Sequence, residues 1–113
     1  MSSPLPIPLA HLLGVYEKVE TDGRKHTWEM YYEDGQEFNA VFRVRWGLAN
    51  AKKPQTKILD FGQALDASRR MVRKGFQLKN GRVKVWAEVQ KDHLRAVLEM
   101  DETGVKTAHR KRI

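Results

Sequence analysis

Cysteine is absent from this 113-residue chain, which removes disulfide frameworks, thiolate zinc sites and cysteine nucleophiles together. Histidine is sparse: His11, His26, His93 and His109 lie far apart, and none forms a His-x-x-x-His or His-x-His pair, so metal-ligand spacing is missing too. There is no long apolar run either. The stretch from Leu5 to Val15 is cut by Pro6, Pro8 and His11 and lacks the basic flank and length of a signal or membrane segment. We therefore expect a soluble intracellular protein, cytoplasmic or nucleoid-associated, with no membrane partner. The glycines, at positions 14, 23, 35, 47, 62, 75, 81 and 104, form neither G-x-G-x-x-G nor a Walker motif, so no phosphate cradle for a cofactor is expected. Glu29, Glu33 and Glu37 fall near His26, but an alternating strand would spread them along a solvent face and not gather them for acid/base or metal-dependent chemistry. The expectation is a non-enzymatic protein without cofactor or metal.

What the chain does contain is enough apolar material to fold, 41% against 31% charged residues, and enough length for one domain. Its charge is segregated. Residues 1–40 hold three Lys/Arg against seven Asp/Glu, residues 41–113 hold eighteen against seven, and within residues 41–84 the balance is twelve to two. A folded domain on which those side chains converge presents a strongly positive face, for which a polyanion is the natural partner.

The pattern of residues suggests an α+β fold, a small antiparallel sheet with one helix packed across it. Pro4, Pro6 and Pro8 make residues 1–11 an extended arm. Val15–Glu20 and His26–Glu33 flank Asp22-Gly23 and read as a hairpin, and a second turn at Asp34-Gly35 leads into a strand over Glu37–Trp46. In that strand Phe38, Ala40, Phe42, Val44 and Trp46 alternate with residues that put Arg43 and Arg45 on the other face. A basic loop with Lys52 and Lys53 precedes a strand-like run, Gln55–Phe61, that carries Lys57. Asp60 and Gln63 fit a capping box for a helix from about Phe61 to Lys74, ended near Gly75. Leu65, Ser68, Met71, Val72 and Phe76 mark its core face; Asp66, Arg69, Arg70, Arg73 and Lys74 mark the opposite one. The stretch from Val83 to Met100 alternates like a hairpin turning at Lys91-Asp92, although a helix burying Val85, Trp86, Val89, His93, Leu94 and Val97 also fits; β-branched residues in its first half favour the hairpin. Residues 12–102 would then be one domain, and residues 103–113, with Lys106, His109, Arg110, Lys111 and Arg112, a basic flexible tail.

An aromatic-rich strand around Trp28, an Asp-Gly turn, Val44-Arg45-Trp46-Gly47, a basic loop, Gln55-Thr56-Lys57 and a helix ending near Gly75-Phe76 occur here in an order that resembles the WGR domain. That family is named for a Trp-Gly-Arg signature and is known from poly(ADP-ribose) polymerases and small bacterial proteins. The similarity covers roughly residues 12–78. It implies a nucleic-acid-binding surface used at DNA ends, with Trp46 at a sugar and the signature arginine on the strand. Here the third signature position is Leu48, which carries no charge, and Arg43 or Arg45 would have to supply it from the neighbouring strand.

Composition, pattern and resemblance converge on one expectation, a nucleic-acid-binding module for DNA, including ends or nicks, or for RNA, within a larger protein complex or alone. Lys52, Lys53, Lys57, Arg69, Arg70, Arg73 and Lys74 would hold phosphates; Arg43, Arg45 and Trp46 would meet sugar or base. Trp46 also fits a plain core position, alternating as it does with Val44 and Phe42. The alternative function is a protein–protein adaptor or inhibitor of regulatory or phage type, docking through its segregated acidic and basic surfaces.

Overall fold

The computed structural model describes residues 10–34, 40–81, 85–90 and 94–112. Along the chain they form β1 (Ala10–Val19), β2 (Lys25–Asp34), β3 (Ala40–Leu48), β4 (Gln55–Leu59), α1 (Phe61–Arg73), β5 (Gln77–Asn80), β6 (Val85–Gln90), β7 (Leu94–Asp101) and β8 (Gly104–Arg112). Five strands make an antiparallel sheet in the order β4-β3-β2-β1-β5, and three make a second in the order β6-β7-β8. The protein is thus a small α+β domain with one helix among the described residues.

Alternation decides which face of the larger sheet is buried. Trp28, Met30 and Tyr32 on β2 pair in register with Trp46, Val44 and Phe42 on β3, and all but Trp46 are almost wholly buried. Together with Leu13, Tyr16 and Leu59 of the same sheet, Ala64 of the helix and Leu98, Met100 and Val105 of the second sheet, these buried side chains form one cluster of twelve buried residues among those described, whose removal from water is the dominant favourable term in folding. The β1–β2 connection turns at Asp22-Gly23 as expected, with Gly23 at φ +89, a conformation costly for residues with a Cβ. Asp34-Gly35 and the start of the expected Glu37–Trp46 strand fall partly in residues 35–39, outside the described residues; β3 itself runs two residues past Trp46. A bulge between Leu12 and Gly14 in β1 seats Leu13 in the core.

Asp60 and Gln63 form the expected capping box: Gln63 N donates to Asp60 Oδ1 at 2.8 Å, and Asp60 N donates to Gln63 Oε1 at 2.9 Å. The helix so started packs on β3 and β4 and, on its other flank, on β8. Its most buried residues are Ala64 and Ser68. Ala64 was outside the expected core stripe because alanine gives little periodic signal, whereas Ser68 is buried because its hydroxyl is used. Ser68 Oγ donates to Leu65 O at 3.0 Å and accepts from Val105 N at 2.9 Å, joining α1 to β8.

That bond identifies a correction. Residues 104–112, expected to be a flexible tail, form β8, whose partners run from Asp101↔Gly104 to Leu94↔Arg112. Charge density suggested solvation, but Val105 is buried with Leu98 and Met100 in the same cluster as the larger sheet, and this anchors the strand. Likewise Ala10 and His11, placed in the extended arm, already belong to β1, while residues 1–9 lie outside the described residues. β6 pairs antiparallel with β7, and the expected turn at Lys91-Asp92 lies outside the described residues. The two sheets meet tightly: a Cβ on Gly81 would fall 2.5 Å from the Met100 carbonyl oxygen, so only glycine lets the chain leave β5 beneath β7.

Candidate nucleic-acid interface

The two faces of the larger sheet treat their charges differently. On the face away from α1, Arg45 Nε lies 2.7 Å from Glu29 Oε1, and Arg43 Nη2 lies 3.4 Å from Glu33 Oε1. Register produces these pairs, since Glu29 stands opposite Arg45 and the Glu33–Arg43 pair is diagonal across β2 and β3. Tyr31 Oη adds a 3.2 Å bond to Glu29, and burial followed by the Glu29 charge pushes the Tyr31 hydroxyl above its ordinary pKa. The hydrogen bond to Glu29 holds the Arg45 guanidinium still more firmly in its charged form. Lys25 and Lys79 flank Glu17 at 3.8 and 3.7 Å. The cations here are neutralised by neighbours.

On α1, on β4 and in the Ala49–Pro54 loop they are not. Among the described residues no ion pair reaches Lys52, Lys53, Lys57, Arg69, Arg70, Arg73 or Lys74. Lys57, Arg70 and Lys74 border a cavity of about 530 Å³ between α1 and strands β2–β4. Its floor is Trp28, Val44, Trp46 and Leu59, closed at one end by Met71 and Phe76, and His26, Gln63 and Asp66 complete the polar rim. Trp46, half-buried against the core, also borders a cleft of about 250 Å³ that it shares with Arg45 and Lys52 beneath the Ala49–Pro54 loop.

The ten residues expected to form the site thus fall into three sets. Trp46, Lys57, Arg70 and Lys74 come together around the larger cavity. Lys52 and Lys53 occupy the exposed Ala49–Pro54 loop, with Lys52 bordering the smaller cleft, and Arg73 lies exposed on the helix. Arg69 is turned to the other flank, where a Cβ on Gly104 would approach its Cγ to 3.2 Å. Arg43 and Arg45 do not join Trp46 as a single contact surface: adjacent strand residues point to opposite faces, and theirs is the ion-paired one.

Sequence reasoning missed Gln63 and Asp66 as members of the site. Their signal is nonetheless present, because Gln63, Asp66, Arg70 and Lys74 are spaced by three, four and four residues, one stripe of a helix. His26 and Phe76 carry no comparable signal; only the fold brings them to the rim. His26 Nε2 lies 3.7 Å from Glu20 Oε1. Among the described residues no group of three or more His, Asp or Glu is placed to hold a metal, and no helix is long and apolar enough to cross a membrane.

The arrangement defines a class, a small α+β domain with an aromatic-floored, cation-rimmed cavity beside its helix. Comparison with protein-family models, curated proteins and solved structures yields no match to the chain.

Proposed function

We propose that this protein is a non-enzymatic nucleic-acid-binding module, DNA favoured, that engages the phosphate backbone through α1, the Ala49–Pro54 loop and β4. One observation carries the reading: the seven cations of α1, β4 and the Ala49–Pro54 loop lack anionic partners among the described residues, whereas Lys25, Arg43, Arg45 and Lys79 on the sheet face away from α1 are paired. Unpaired cations surround themselves with counterions, and a polyanion that displaces those counterions gains affinity from their release. Because they contact phosphate, these residues position the strand and read little of its sequence. Arg43 and Arg45, already held by carboxylates, drop out of the contact set.

The order β2, β3 carrying Trp46-Gly47 near its end, basic loop, β4 and α1 supports a WGR-like identity for residues 12–78, to which the β6–β8 sheet is an addition. On this reading Trp46 keeps its place at sugar or base, and Lys57, from the strand after the loop, supplies the charge that Leu48 does not.

Fluorescence-anisotropy titration against blunt duplex, nicked duplex, single-stranded DNA and RNA at two salt concentrations tests the proposal. It expects binding that weakens steeply with salt, tighter for DNA than for RNA. Absence of binding at low salt overturns it and leaves the adaptor reading in its place.

A further inference from the structure

Three of the unpaired cations, Lys57, Arg70 and Lys74, border a cavity and do not stand on an open face. The cavity of about 530 Å³ lies within the roughly 300–1,000 Å³ typical of small-molecule sites, and its floor is aromatic and aliphatic. A duplex presents only its backbone and grooves to a surface and cannot fill such a recess while its bases remain stacked. A single base turned out of the stack can. We propose that the cavity receives one unpaired nucleotide, its base lodged against Trp46 between α1 and β3 and its flanking phosphates held by Lys57, Arg70 and Lys74. The inference rests on the nucleic-acid reading above and names the element of the ligand that the site selects.

The wall of the cavity is graded in a way that suits this occupant. At the N-terminal end of the helix stripe, Gln63 uses its Oε1 to accept from Asp60 N, which leaves its amide N–H groups as donors, and Asp66 offers a carboxylate acceptor. These are the complementary groups that an unpaired base edge requires once its partner strand is gone. At the other end Arg70 in the last turn and Lys74 at the C-cap offset the negative pole of the helix and make phosphate acceptable there. Lys57 faces them from the edge strand β4. Extruding a base costs a few kcal/mol from an intact duplex and much less where it is already unpaired, so the site should discriminate by the state of the base before its identity.

The test compares a fully paired duplex with the same duplex carrying a one-nucleotide bulge, the bulged base being 2-aminopurine, at equal salt. We expect at least tenfold tighter binding of the bulged duplex and a change in 2-aminopurine emission on complex formation; replacing the bulged base by an abasic residue should abolish the preference. Lys57→Gln, on an exposed position of an edge strand, should reduce the bulge preference, whereas Lys53→Gln should weaken both duplexes alike. Trp46→Leu should remove the emission change, with circular dichroism to verify the fold. Equal affinity for paired and bulged duplexes, or unchanged 2-aminopurine emission in the bound state, overturns the inference while leaving the nucleic-acid reading intact. Failure of every oligonucleotide to bind at low salt overturns both.

Discussion

Two buried polar side chains hold the C-terminal sheet to the rest of the molecule, and each can be tested singly. Ser68 Oγ is the acceptor for the Val105 N–H, so Ser68→Ala leaves a buried donor without a partner; we expect a loss of about 1–3 kcal/mol in a urea melt, with an unchanged circular-dichroism spectrum. Tyr16, stacked on Trp28 with ring centres 5.9 Å apart, donates its hydroxyl to the Asp101 carbonyl, and burial pushes that hydroxyl well above its ordinary pKa. Asp101 is the pH-sensitive member of the group. Burial pushes its carboxyl up, but Lys106 at 2.5 Å and two bonds from Thr103 outweigh this and hold it at about 2, below the ordinary 3.8. Because the folded value is depressed, the stabilisation is fully present above about pH 4 and is lost as pH falls through about 2. Acid titration of the folding free energy should show this step, and Asp101→Asn should flatten it at a cost on the order of 1–2 kcal/mol at neutral pH.

At the scale of elements, α1 is the piece most legible in the sequence and also the piece on which function is proposed to rest. Its cap, its length and its division into apolar and cationic sides follow from local spacing, which is why a helix can be read from one stretch of chain. Asp60→Ala removes the carboxylate that accepts from Gln63 N while leaving the backbone N–H of residue 60 free to donate to Gln63 Oε1, and a loss of about 1 kcal/mol is expected on thermal or chemical unfolding. The sheet faces were less legible. Arg43 and Arg45 looked available because alternation shows which face a residue takes, but not what stands across the strand gap; Glu29 and Glu33 occupy that place through a register set between β2 and β3. Hence a contrast: Arg70→Gln should weaken duplex binding severalfold in anisotropy, while Arg45→Gln should leave affinity almost unchanged. Equal losses for the two would extend the contact surface to the ion-paired face and end the contrast between the two.

For the molecule as a whole, charge distribution predicts the form of the binding isotherm. If four to seven of the unpaired cations meet phosphates, the slope of log K against log salt should fall between about −4 and −6, at roughly −0.9 per phosphate for duplex DNA, and each charge-removing substitution in the set should reduce it by about one. The architecture beyond residue 81 was the least legible part. A strand whose sequence is mostly polar and basic, such as Gly104–Arg112, gives no amphipathic signal, and its place is decided by Val105 and by a serine 37 residues earlier. This joint has a bearing on biogenesis. Tyr16 and Ser68 each have a hydrogen-bond partner at positions 101–105, and Leu98, Met100 and Val105 belong to the same core cluster, so a nascent chain can make its first hairpin and its helix early but cannot complete its core until those later residues have been synthesised. Until then the helix flank that will receive β8 remains uncovered, and the growing polypeptide depends on late, long-range closure for its stability.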